Sequence, residues 1–282
     1  MTAHCRICGS ETVSVALKVK SYDQLWDIHE CSACTGRFIL MKGDLDLERF
    51  YSEHYDMNQA WLDRLKNPAN GQRQWRRQWM MILSGLDPGL APHRALDVGC
   101  AGGHFLINAP SGWERTGIEL APPVAEIARA NGIHFLKKPI EEITEIEDNS
   151  LSVVGMFAVI EHLIDPHSVL ERIKALMKPG GVLAVMTADC RSWKARWKST
   201  RWHMYSPPQH QFFFSRKALL RMLETHGFRN YAWRYTDGGM TQLGVPILDK
   251  VIYKGMRVVE TFPGIRTLPL FDHLFTYNRL EK

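Results

Sequence analysis

The sequence predicts a doubly wound α/β domain preceded by a small cysteine-built unit, and three observations carry that expectation. After Pro92 the chain alternates strand, turn and helix; the strand Ala95–Val98 runs straight into a glycine-rich turn; and two Cys-x-x-Cys pairs fall within the first 34 residues. Such alternation is the pattern of a parallel sheet covered on both faces by helices.

Bulk properties set the frame. At 282 residues the chain has room for one main core and a small addition. With 45% hydrophobic and 23% charged residues it has the composition of a globular protein and not of a disordered one. A formal charge of +5 and a pI near 8.9 suit an anionic partner such as a phosphate, a nucleotide or RNA. The opening MTAHCRICGS has neither a charged leader nor an apolar run, and no stretch approaches the ~18 apolar residues of a membrane span. The chain therefore reads as cytoplasmic, with its thiols reduced.

Residues 1–42 form the first unit. Cys5-x-x-Cys8 and Cys31-x-x-Cys34 are two knuckles separated by 22 residues, enough for the strands of a ribbon that returns one knuckle to the other. Buried or redox-active cysteines are the plainer alternative, but a unit of this size lacks a core of its own, which favours zinc. Four thiolates close the coordination sphere, so the metal would be structural. Cys100 and Cys190 stand apart and are expected in the core or a loop.

Residues 43–92 read as a helical linker or cap of two or three helices, interrupted around Pro68–Gly71, with tryptophans and arginines in QRQWRRQW. In the α/β domain, residues 93–282, strands are expected at Ala95–Val98, Arg115–Ile118, Ile133–Leu136, Leu151–Phe157, Gly181–Met186, Phe228–Tyr235 and His273–Leu280. Helices are expected at Pro122–Asn131, Pro166–Met177 and Ser215–His226, with KPGG as a stop signal after the second. An insertion at about 189–214, rich in Trp, Lys, Arg and Pro, would cover the substrate. Its Trp193–His203 segment interleaves cations with indoles and could hold nucleotide phosphates, stack on RNA bases, or be a solvated helix anchored by its tryptophans. Residues 238–270 alternate apolar and basic positions, a pattern open to a homodimer surface, a peripheral membrane contact or ordinary packing.

The turn after the first α/β strand is the chemical centre of the reading. Asp97-Val98-Gly99-Cys100-Ala101-Gly102-Gly103 lets backbone N–H groups approach a ligand at the start of a helix. Glu119, sixteen positions past Gly103, ends the next strand where ribose hydroxyls lie in doubly wound folds. The dinucleotide fingerprint G-x-G-x-x-G is missing, as is the G-K-[ST] of a P-loop.

These residues resemble the acidic-x-Gly-x-Gly-x-Gly loop of class I S-adenosylmethionine-dependent methyltransferases, with Asp97, Gly99 and Gly103 matching and Ala101 replacing the middle glycine. The resemblance runs from about residue 94 to 228. It includes Phe157-Ala158-Val159-Ile160-Glu161-His162-Leu163-Ile164-Asp165-Pro166 and Met177-Lys178-Pro179-Gly180-Gly181. It implies a Rossmann-like, seven-stranded, mostly parallel sheet that binds S-adenosylmethionine. By the same resemblance Asp97 would steady the methionine amino group, while Gly99, Ala101 and Gly103 line the cofactor. Glu119 would take the ribose hydroxyls, Leu120 would pack on the adenine, and Ile140 would lie near the adenine edge. Phe157 and Ala158 would lie beneath the methionine portion. The cysteine ribbon, Tyr51 and Tyr55, and the run Trp202 to Ser215 are similar to methyltransferases of sugar and natural-product pathways, which would also bring Tyr55 to the cofactor site.

Methyl transfer needs an aligned nucleophile and, for an alcohol, a base. His210, His162 and its neighbour Glu161 are the candidate catalytic residues, with helix-start packing as the alternative role for His162. The expected acceptor is an anionic small molecule, a sugar or related precursor for glycan biosynthesis or a natural product. The alternative is ribosomal RNA, read by a zinc-containing unit.

Overall fold

A computed structural model of the chain describes residues 4–41, 59–236, 269 and 271–281. Residues 42–58, with Tyr51 and Tyr55, and nearly all of the 238–270 stretch, with its expected dimer or membrane contact, lie outside the described residues.

Val13–Ser21 (β1) and Gln24–Cys31 (β2) form an antiparallel hairpin. A two-residue turn that follows strand twist needs positive φ at both central positions, and Tyr22 (φ 47°) and Asp23 (φ 56°) adopt it. Arg37–Ile39 (β3) pairs with β2, and the far-removed Phe212–Phe213 (β9) pairs with β3, giving the order β1-β2-β3-β9. The core of this sheet mixes Val19, Ile28 and Ile39 with Ala195, Trp202 and Phe213. Residues read as ribbon and residues read as insertion thus share one sheet and one core.

The chain divides into two compact units. One comprises the described parts of 1–42, 186–222 and 233–276, the other those of 43–185, 223–232 and 277–282. The second opens with the helices Gln59–Lys66 (α1) and Gln72–Gly85 (α2), broken between them as the Pro68–Gly71 signal predicts.

Seven strands make the main sheet: Arg94–Val98 (β4), Glu114–Ile118 (β5), His134–Leu136 (β6), Leu151–Phe157 (β7), Met177–Ala188 (β8), Phe228–Thr236 (β10) and His273–Leu280 (β11). Their order is β10-β11-β8-β7-β4-β5-β6, and the β4–β5, β4–β7 and β5–β6 pairs are parallel. β7 is buried from Leu151 to Met156, as expected of a strand with both faces covered. Helix Pro122–Ala130 (α4) follows β5. Helix Pro166–Leu176 (α5) follows β7, with Pro166 in its first turn and the Asp165 carboxylate accepting from the His167 and Ser168 amides at 3.0 and 3.3 Å.

Most boundaries shift by a residue or two, and one shifts further. β8 begins at Met177, so Lys178-Pro179-Gly180 lie inside the strand instead of forming a turn before Gly181. Gly180 takes φ 87°, a conformation that favours glycine, and the Lys178 ammonium donates to the Leu90 and Pro92 carbonyls at 2.8 Å each, which anchors the segment.

Candidate functional site

The glycine turn leaves β4 and enters the short helix His104–Ile107 (α3). Gly99 (φ 70°), Ala101 (φ 46°) and Gly103 (φ 77°) all take left-handed backbone. A Cβ on Gly99 would meet Val159 Cγ2 at 2.5 Å, and one on Gly103 would meet Ile133 Cγ1 at 2.7 Å, so both positions need glycine for space as well as conformation. Ala101 accepts the same conformation with a methyl group, at a cost of roughly 1–2 kcal/mol.

Two carboxylates flank this turn. Asp97, on β4, is 3% exposed, and its Oδ1 has no hydrogen-bond partner among the described residues. Burial, and then the charge of Glu119, push its pKa well above the usual carboxylate range. Glu119 follows β5; its Oε2 accepts from the Ala101 amide at 3.0 Å and its Oε1 from the Ala121 amide at 2.9 Å. Burial raises its pKa, opposed in part by those amides. The site therefore sets two carboxyl groups against the left-handed backbone of the turn and leaves one buried acceptor, Asp97 Oδ1, unsatisfied among the described residues. A ligand bearing a cation and vicinal hydroxyls would satisfy both, and S-adenosylmethionine, with its α-ammonium, sulfonium and ribose, fits that donor set.

The other expected cofactor residues take definite places. Leu120 is an exposed apolar side chain directly beside Glu119. Ile140 is buried in the 3-10 turn Ile140–Glu142. Phe157 ends β7 edge-on to Trp75 and to Phe105, with ring centroids 4.9 Å away in each case. Ala158 follows at φ 56°. Cys100, within the turn, is buried, which raises its thiol pKa, and Cys190 is buried in the other unit.

Glu161, buried, and His162, half-buried, belong to the 3-10 turn Ile160–His162 in the unit that holds the glycine turn. His210 belongs to the other unit. Its Nδ1 lies 2.7 Å from the Met204 carbonyl oxygen. A carbonyl only accepts, so Nδ1 is the donor in that contact.

The four expected metal ligands converge. Cys5 Sγ lies 3.7 Å from Cys34 Sγ, and Cys8 Sγ lies 3.7 Å from Cys31 Sγ. All four sulfurs fall within 4.8 Å of one another. Tetrahedral zinc with Zn–S of about 2.3 Å separates its sulfurs by about 3.8 Å, so the donor set and its spacing fit zinc. The second knuckle is pinned from outside the ribbon: Ser215 Oγ donates to the Cys34 carbonyl at 3.2 Å and Arg191 Nε to the Thr35 carbonyl at 3.3 Å. At Gly36 a Cβ would meet Ile7 Cδ1 at 2.5 Å and Ala218 Cβ at 2.8 Å, which excludes any larger residue.

Sequence reasoning missed the clamp on the glycine turn. His104 Nε2 donates to the Asn67 carbonyl at 2.9 Å, and Asn131 Nδ2 donates to the Gly102 carbonyl at 2.8 Å. The Asn131-Gly132 pair closing α4 was a legible signal of a helix end; its side-chain target was not.

The comparisons with known proteins agree with this geometry. A family model described as a methyltransferase domain matches residues 62–232, more than half of the chain. The ubiquinone biosynthesis O-methyltransferase of Bordetella avium is 34% identical over 121 residues, covering 40% of this chain and 49% of that protein. That of Xanthomonas oryzae pv. oryzae is 32% identical over 107 residues, covering 36% and 45%. The match thus spans about half the length of these curated relatives. Among solved structures, a Thermotoga maritima S-adenosylmethionine-dependent methyltransferase described as a possible histamine N-methyltransferase superposes with a TM-score of 0.50. It is 19% identical, over 83% of this chain and 98% of its own. Phosphoethanolamine N-methyltransferase 2 of Haemonchus contortus gives 0.54 at 15% identity, over 87% and 62%. At such identities the structures show the shared fold, and with the family match and the carboxylate-flanked glycine turn they lead to one conclusion: the chain belongs to the class I S-adenosylmethionine-dependent methyltransferases.

Proposed function

We propose that the protein transfers a methyl group from S-adenosylmethionine to a hydroxyl of a small molecule, a sugar or related precursor. The observation that carries the reading is the pair of carboxylates, buried Asp97 and half-buried Glu119, on either side of the left-handed turn. When bound, S-adenosylmethionine supplies an electrophilic methyl carbon on a sulfonium that is already activated. Asp97 would hold its ammonium, Glu119 its ribose hydroxyls, and the turn amides and Leu120 the remainder.

The protein's catalytic contribution is then alignment and removal of one proton. The candidates for that base are His210, His162 and Glu161, and the turnover of their Ala or Gln variants assigns the role. The acceptor class is supported by relatives whose names describe O-methylation of a small molecule. Zinc has no open position in its four-thiolate site and would act through structure alone.

Titration calorimetry with S-adenosylhomocysteine, followed by turnover assays on nucleotide sugars and on RNA fragments, tests the reading. Binding followed by methylation of a nucleotide sugar, with turnover lost in His162→Ala, His210→Ala or Glu161→Gln while cofactor binding is kept, supports it. Absence of cofactor binding by the folded, zinc-loaded protein would overturn it. Methylation confined to RNA, with steeply salt-dependent binding, would move the acceptor to nucleic acid.

A further inference from the structure

The helix Trp193–Lys198 (α6) inverts the usual arrangement of polar and apolar faces. It starts at Ser192, whose hydroxyl accepts from the Ala195 amide at 3.1 Å. Its inward side carries a lysine: Lys194 is 7% exposed, with its ammonium 3.2 Å from a carboxylate oxygen of the fully buried Asp272. Its outward side carries Trp193 and Trp197, 58% and 56% exposed, four residues apart and stacked with ring centroids 5.5 Å apart at 12°. Arg196 and Arg201 are exposed on the same short segment, and Lys198 is half-buried.

Burial alone would choose the opposite orientation, because tryptophan is among the costliest side chains to leave in water and lysine among the costliest to bury. The register is fixed from within. Asp272 accepts from Trp202 Nε1 at 3.2 Å and from Lys194, so α6 cannot roll to hide its indoles without breaking a buried ion pair. The fold holds two indoles and two arginines outward, with Lys198 half-buried beside them, at the expense of packing.

We propose that this face seats the protein on an anionic membrane surface, with Trp193 and Trp197 entering the headgroup layer and Arg196, Lys198 and Arg201 meeting lipid phosphates. Indoles favour the membrane–water boundary, and basic side chains beside them add attraction to anionic lipid. The net charge of +5 works in the same direction. Among the described residues no helix is long and apolar enough to cross a membrane, so the contact is peripheral. The stacked indoles leave no gap for a base between them, which favours a bilayer over single-stranded RNA, whose bases stack on separate aromatic platforms.

The test is co-sedimentation of the full, zinc-loaded chain with phosphatidylcholine vesicles, with and without phosphatidylglycerol. The expected result is partition onto the anionic vesicles only. W193A/W197A should weaken it about tenfold or more, and R196Q/K198Q/R201Q by roughly fivefold per cation. Zinc content and S-adenosylhomocysteine binding of each variant verify its fold. Independently of any variant, anionic vesicles with brominated acyl chains should quench the wild-type tryptophan emission. Failure of the wild type to sediment with or be quenched by anionic vesicles overturns the proposal, as does unchanged sedimentation of folded W193A/W197A. Binding of single-stranded RNA that is lost in W193A/W197A, without vesicle binding, overturns it in favour of nucleic acid.

Discussion

Asp97→Asn should make the cofactor-free protein more stable at neutral pH and at the same time weaken its hold on cofactor. Asp97 is buried with one carboxylate oxygen unpartnered among the described residues, and burial with the Glu119 charge raises its pKa well above the ordinary range. The folded state therefore holds the Asp97 proton more tightly than the unfolded state does. Its contribution to stability is greatest at acid pH and is lost as pH rises from the unfolded value, about 3.9, through the folded one. Asparagine is neutral throughout. The stability gap in favour of Asp97→Asn should thus be absent below about pH 4, widen as pH rises, and level off above the folded pKa. Cofactor binding moves the other way. One charge-assisted hydrogen bond to the ammonium contributes about 1.5–3 kcal/mol, which corresponds to a roughly 10- to 150-fold weaker dissociation constant for S-adenosylhomocysteine. Thermal unfolding across a pH series and titration calorimetry measure the two effects. A variant less stable at neutral pH with unchanged affinity would refute the reasoning, because Asp97 would then be a satisfied structural carboxylate.

Glu119→Ala removes both acceptors, and with two charge-assisted bonds at stake S-adenosylhomocysteine affinity should fall on the order of 100-fold by calorimetry; full affinity would remove Glu119 from the ribose site. Gly103→Ala combines a left-handed backbone with a Cβ 2.7 Å from Ile133 Cγ1. It should cost about 2–4 kcal/mol in denaturant unfolding, and a neutral result would mean the turn relaxes freely. Asp272→Ala strips the buried partner from Lys194 and should cost about 3–5 kcal/mol, most of it regained in D272A/K194M. Stripping zinc with a chelator should abolish hydrogen-exchange protection across β1, β2, β3 and β9 alike; protection lost in β1 and β2 alone would show that β9 does not depend on the metal.

What could be read in advance was what the chain writes locally. β7 was legible to the residue because an unbroken apolar run bounded by polar turns has few other uses, and the glycine turn was legible because Asp97, Gly99 and Gly103 are needed within seven positions. The cysteine pairs were legible because two thiolates per tight turn is a metal pattern at any distance. β9 was not: two residues show no periodicity, and their partners Arg37 and Phe38 are more than 170 positions away. KPGG did mark the end of the helix, which stops at Leu176, but the strand begins at Met177 and not at Gly181, with the Lys178 ammonium bonded to the Leu90 and Pro92 carbonyls. The His104 and Asn131 clamp is likewise a matter of which distant carbonyl a side chain meets, and single positions do not encode that.

The same reasoning explains why the cysteine ribbon is built together with residues 186–222. A segment of about 40 residues cannot bury enough apolar surface to fold alone, so it needs a metal, a partner surface, or both. This chain uses both. Phe212–Phe213 extends the ribbon's sheet, and Trp202 and Ala195 fill its core. Polar links complete the joint: Glu30 accepts from Arg37 Nε at 2.8 Å and from Arg191, and Arg37 also donates to the Tyr205 hydroxyl. Burial works to raise the Glu30 pKa, yet the two arginines together hold it below the usual value. Its stabilising contribution is therefore present above the unfolded carboxylate pKa and is lost as pH falls through the folded one. Zinc release follows the same direction, since thiolates must be protonated to let the metal go. Acid thus weakens both supports together, and the segment carrying His210 shares a unit with them. A metal with no open coordination position can in this way govern how the segment carrying His210 is held, through structure alone.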